Sequence, residues 1–189
     1  MQNEFSVKTS RKNGNETFSL NSNTLEFNIL DFWSWSSSDL LNNTMRGILA
    51  EFIIAKALGI DNSYRVEWNE YDLVYDDLKI EVKSGAYIQS WEQQKFSNIV
   101  LTIKPTKDQK CTNCKRQSDI YIFAILSHKD SKTINPLNLE QWDFYIIKTS
   151  ILNEKLGEQK TIVLNGLLNL NPIKSSFENL KNNIDSINI

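Results

Sequence analysis

The chain of 189 residues is poor in side chains on which several chemistries depend. It has a single histidine, His128, which argues against a hydrolase triad and against a histidine-built metal centre. Its two cysteines stand at Cys111 and Cys114, the spacing of a metal knuckle. Zinc takes four ligands, so a site within the chain would also need His128 and a carboxylate; free thiols in a reducing compartment are the simpler expectation. The six glycines form no cluster, which excludes a phosphate-cradling glycine loop. No apolar run is long enough to span a bilayer, and Met1–Phe5 lacks the basic-then-apolar order of a secretory signal. A cytoplasmic protein with no membrane partner is expected. The net charge of −2 excludes a general basic coat for nucleic acid. It leaves room for an enzyme with acids at a metal and bases elsewhere.

What is present suits one folded domain over residues 1–189. Hydrophobic content of 40% and charged content of 23% argue against disorder. Residues 1–24 read as a polar arm or a β-edge segment carrying Lys8, Arg11 and Lys12, and residues 38–150 as the core. Ser36 to Asp39 offer helix caps. Beyond them Leu41, Met45, Ile48, Leu49, Phe52 and Ile53 keep helical spacing, with Gly59 placed to end the helix. Two β-prone runs, 71–75 and 78–83, flank Asp76-Asp77 as a hairpin. Arg65 to Trp68 would extend its first strand. A short helix or loop is expected over 86–95, a strand at 99–103, a polar loop at 106–117, a buried strand at 119–127 and another strand at 142–148. Helical segments complete 150–189. This order predicts an α/β fold with a central mixed β-sheet flanked by α-helices.

The hairpin carries the chemistry. Side chains alternate faces along a strand, so Glu81 and Lys83 share one face while Ile80 and Val82 take the other. Asp72 on the partner strand would sit near them. Two carboxylates and an ammonium at one point suit a hard divalent cation beside a lysine able to stabilise a reacting group. A solvated acidic hairpin with a surface ion pair is the plainer alternative.

These residues resemble the PD-(D/E)XK nuclease superfamily, with its restriction-endonuclease-like fold. The resemblance runs from Glu51 on the helix, through Asp72, to Glu81-Val82-Lys83, with Tyr71 where the pattern's proline would stand. It implies a Mg²⁺-dependent phosphodiesterase, with Mn²⁺ able to substitute, acting on DNA in a restriction, defence or repair setting. It further implies Asp72, Glu81 and the Val82 carbonyl as metal ligands, and Lys83 as the group that positions the attacking water. Glu51 would bind a second metal or its water, unless it simply pairs with Lys56 or Arg46. Gln89, and less directly Ser84, would orient phosphate or water. Enzymes of this kind commonly dimerise, so a homodimer or a partner protein is implied too.

Lys104, Lys107, Lys110, Lys115 and Arg116 form one local basic stretch, expected to grip phosphate backbone beside the site or else to be a solvated loop. Five tryptophans are expected mainly in packing, with Trp91 a candidate for base stacking. The competing reading is a catalytically silent module of the same fold that binds nucleic acid or protein.

Overall fold

The computed structural model describes residues 7–67, 69–107 and 114–187. The chain opens with an antiparallel hairpin, β1 (Thr17–Leu20) and β2 (Asn23–Asn28). Helix α1 (Ile29–Ser37) follows at once. Its cap is Asn28, whose side chain accepts from Leu30 and Asp31 while Asp31 reaches back to the Asn28 amide. The residues expected to cap a helix, Ser36 to Asp39, instead end α1 and begin the turn beyond it. Helix α2 (Asn43–Leu58) is capped by Asn42. Its buried stripe of Ala50, Ile53, Ile54 and Leu58 faces the sheet, and Gly59 closes it in the left-handed conformation, φ 72°.

Strands β3 (Leu73–Tyr75) and β4 (Leu78–Ala86) make the expected hairpin. Asp76 and Asp77 both take positive φ, 46° and 67°, as a two-residue type I′ turn requires. Residues 65–67 form no strand. Past Ala86 the chain runs without helix to β5 (Val100–Thr102), then through the short pair β6 (Thr106–Lys107) and β7 (Cys114–Lys115) to β8 (Ile120–Leu126). Every residue of β8 is buried, as its unbroken apolar run foretold. Then come β9 (Trp142–Lys148), α3 (Thr149–Leu156), β10 (Thr161–Val163), α4 (Leu164–Leu168), β11 (Ile173–Ser175) and α5 (Leu180–Asp185). Strands β10 and β11 interrupt the stretch expected to be helical.

The central sheet has the order β11-β9-β8-β4-β3 and is mixed: β4 and β8 run parallel, and the other neighbours antiparallel. Ile80, Val82 and Ala86 on β4 pack with α2 and α5 on one face. Tyr121, Phe123 and Ile125 on β8 pack on the other face with α3, α4 and the separate β5–β10 pair. The sheet is therefore covered on both sides. Glu81 and Lys83, half-buried, belong to the second face. Gly85 lets β5 approach: a methyl group there would meet Ile99 Cγ2 at 2.7 Å.

Candidate active site

The turn at Asp76-Asp77 fixes the register Leu73↔Ile80, and so sets Asp72 one residue beyond the end of β3. The Asp72 amide donates to the Ile80 carbonyl at 3.0 Å, and its Oδ2 accepts from the Val82 amide at 2.7 Å. A residue's N–H and C=O leave a strand on the same edge, so the Val82 carbonyl emerges on this edge as well, where β3 has stopped. On β4 itself Lys83 Nζ lies 2.5 Å from Glu81 Oε1. From α2, Glu51 is clamped by Arg65, with Nε at 2.5 Å and Nη2 at 3.0 Å. Arg65 also reaches Glu67 at 3.0 Å. Glu51 therefore pairs with neither Lys56, which binds Asp61 at 2.9 Å, nor Arg46.

These groups feel one another. Burial pushes the Glu81 carboxyl above the usual carboxylate range; Lys83 opposes the shift, and Asp72 and Glu51 add to it. Burial likewise raises Glu51, against the hydrogen bond from Arg65 and with the charge of Asp72. Three carboxylates thus stand against Lys83 and a shared Arg65. Tyr121 lies opposite Glu81 across the parallel β4–β8 pair, and burial together with the charge of Glu81 drives its hydroxyl up to about 12. It is a neutral O–H donor at ordinary pH.

Among the described residues, no three or more His, Cys, Asp or Glu side chains group as a metal cluster. Magnesium requires less than that, since it takes one or two carboxylates and keeps several waters. Asp72, Glu81 and the Val82 carbonyl are hard oxygen donors at one strand edge, with net negative charge and partial burial, and their chemistry fits such an ion. A cleft of about 850 Å³ adjoins this edge. Glu51, Arg65 and Asp72 are among the residues that line it, as are Arg11, Trp33 and Tyr64. Arg11 is held there by a 2.6 Å bond to the Asp61 carbonyl.

The other expected residues fall elsewhere. Gln89 is not among the carboxylates; it is held with Ser84 around Arg46, whose Nη1 donates to Gln89 Oε1 at 2.9 Å and whose Nε donates to Ser84 Oγ at 3.2 Å. Lys104 and Lys115 are exposed, Lys107 lies on β6, and Lys110 and Cys111 fall outside the described residues. Arg116 departs from the expected surface grip. It is 6% exposed, and its guanidinium donates to the carbonyls of Ile103, Gly157 and Gln159 and to Asn153 Oδ1. Three residues escaped the sequence reading. Arg65 stands fourteen positions from the acid it clamps, and its irregular segment carries no periodicity to place it. Tyr121 looked like one more apolar residue of a buried strand. Arg46 looked only like a candidate ion-pair partner of Glu51 on the helix flank.

Residues 4–166 match the family model described as bacteriophage T4 endonuclease IV. No curated protein matches the chain.

Proposed function

The chain belongs to the bacteriophage T4 endonuclease IV family, and from that premise we propose that it is a metal-dependent endonuclease of the PD-(D/E)XK type that hydrolyses phosphodiester bonds in DNA. The observation that carries the reading is the edge of β4 beyond β3, where Asp72, Glu81 and Glu51 are held near Lys83 despite their mutual repulsion. A fold gains nothing from gathering desolvated like charges unless a ligand offsets them.

Asp72, Glu81 and the Val82 carbonyl would hold Mg²⁺ or Mn²⁺. When bound, such an ion acidifies a water and offsets charge on the transferring phosphoryl group. The Asp72 bond to the Val82 amide fixes its free Oδ1 relative to the Val82 carbonyl. Lys83 shares Glu81 as its counter-charge and so keeps its ammonium at the reacting edge, donating to the attacking water or to a non-bridging phosphate oxygen. Glu51, oriented by two bonds from Arg65, accepts a hydrogen bond from a water on the same edge. Basic and aromatic groups that line the same cleft, Arg11, Trp33 and Tyr64, would meet the nucleic-acid strand.

The test is cleavage of supercoiled plasmid and of linear single- and double-stranded DNA with Mg²⁺ or Mn²⁺ against EDTA. Wild type should cut only with metal, and Lys83→Ala should lose at least about 100-fold in rate. Failure of well-folded wild type to cut any substrate would leave the silent binding module as the better reading.

A further inference from the structure

Arg46 is 3% exposed, yet among the described residues no acid pairs with it. Its Nε donates to Ser84 Oγ at 3.2 Å, its Nη1 to the Leu41 carbonyl at 2.8 Å and to Gln89 Oε1 at 2.9 Å, and its Nη2 to Asn43 Oδ1 at 2.7 Å. All four acceptors are neutral. A buried charge is ordinarily paired with an opposite one. The Gln89 amide cannot turn away, because its Nε2 donates to the Ala86 carbonyl at 2.9 Å and to Ser97 Oγ at 3.2 Å.

The guanidinium lines a separate pocket of about 270 Å³ at the C-terminal end of β4, together with Asn43, Ser84, Gln89, Ser97 and Asn98. No acidic residue lines it. Asn43 is the first residue of α2, so the pocket lies beside the N-terminal end of that helix. Ser84 follows Lys83 directly. From Val82 to Gly85, at ~3.3 Å per residue, the pocket stands about 10 Å along the strand from the carboxylate edge. That is too far to touch the bond being cut and suits a neighbouring part of the same strand.

We propose that the Arg46 pocket is a phosphate subsite, holding a backbone phosphate of the nucleic-acid strand that flanks the phosphodiester to be cleaved. The identity of the anion rests on the endonuclease reading; the presence of an anion site rests on the uncompensated guanidinium and its polar pocket. The planar fork of an arginine matches two phosphate oxygens, and the Ser84 hydroxyl and Asn43 amide can give up their bonds to it when a stronger acceptor arrives.

The experiment measures oligonucleotide binding in EDTA, where no cleavage occurs, with a single methylphosphonate walked along the strand. Wild type should lose about tenfold in affinity when one particular phosphate is neutralised. Arg46→Gln should bind about tenfold more weakly overall and no longer respond at that position. Its slope of log affinity against log salt should be smaller by ~0.7 on a single strand or ~0.9 on a duplex. Because Arg46→Gln risks misfolding, Gln89→Glu serves as the second variant: it keeps the guanidinium and sets a carboxylate in the anion's place. It should melt no lower than wild type and show the same loss at the same phosphate. If both variants keep the wild-type slope and the wild-type methylphosphonate profile, the subsite is overturned. If inorganic phosphate raises the melting temperature of wild type but not of Gln89→Glu, while no methylphosphonate position distinguishes them, the pocket takes free phosphate and the nucleic-acid assignment falls. If wild type neither cuts DNA with Mg²⁺ or Mn²⁺ nor binds any oligonucleotide, the endonuclease reading fails first and takes this assignment with it.

Discussion

Two stretches of one strand, three residues apart, bury charge of opposite sign. At residues 81–83 of β4, three carboxylates outweigh Lys83 and a shared Arg65. At residues 84–86, a guanidinium sits among neutral acceptors. Arg116 is the internal control. It is nearly as buried as Arg46 and also lacks an acid, but three of its four acceptors are backbone carbonyls, which ties the end of β5 to the turn after α3. Burial of an arginine alone is therefore no sign of a ligand. What separates Arg46 is that its acceptors are mostly side chains and that it opens on a pocket. The acidic stretch and the cationic stretch complement the two halves of a phosphodiester reaction, one wanting a cation and the other an anion.

Arg116→Ala gives the largest effect and sharpens the control. It strands three buried carbonyls, and chemical denaturation should show a loss of about 3 kcal/mol in stability. A loss below about 1 kcal/mol would remove the distinction between a tie and a subsite. Next, Asp72→Asn bears on the acidic stretch. Magnesium at about 100 times its dissociation constant should stabilise wild type by about 2.7 kcal/mol, and the variant should show no such gain in a thermal melt. An equal gain in both proteins would move the ion elsewhere. Gly85→Ala probes the packing beneath the second stretch. The added methyl collides with Ile99 and should cost about 2 kcal/mol, read as a lower denaturant midpoint.

The smallest effect is a pH dependence in EDTA. Glu81 has its folded pKa raised above the unfolded value, so the stability linked to its protonation is fully present below the unfolded pKa of 4.5 and is lost as pH rises through the folded value. Glu81→Gln should therefore melt slightly above wild type at neutral pH, and the gap should shrink as pH falls toward 4.5. A gap that widens on acidification would mean that Glu81 is stabilised as a carboxylate.

Much of this layout was legible from the chain. The helix closed by Gly59, the Asp76-Asp77 turn, the buried run of β8 and the strand Trp142–Lys148 are each set by local pattern, and each stands where the pattern put it. The convergence of Asp72 with Glu81 and Lys83 followed from strand alternation plus one tight turn. Other parts were hidden because tertiary contacts decide them. The strand Val100–Thr102 is legible in its pattern, but its pairing outside the central sheet with Thr161–Val163 is not, because that three-residue partner leaves too short a pattern to read. Arg116 lies in a visibly basic stretch, but only the fold shows that carbonyls surround it. The helix expected to start after Ser36 to Asp39 is capped by Asn42 instead, because Ser36 and Ser37 are the last turn of α1 and a short turn separates Asp39 from α2.

The parallel pairing of β4 with β8 has a consequence for the order of assembly. Ile80 cannot meet Ile120 until the whole intervening chain has closed into a loop, whereas the β3–β4 hairpin needs only its two-residue turn. The hairpin can therefore form early and bring Asp72 to Val82 while water still bathes Glu81. The desolvation that raises the Glu81 carboxyl arrives only when β8 docks. The electrostatic cost of the site thus falls after the hairpin, at a step that joins residues 80 and 120, and cations in the refolding medium should speed that step more than hairpin formation.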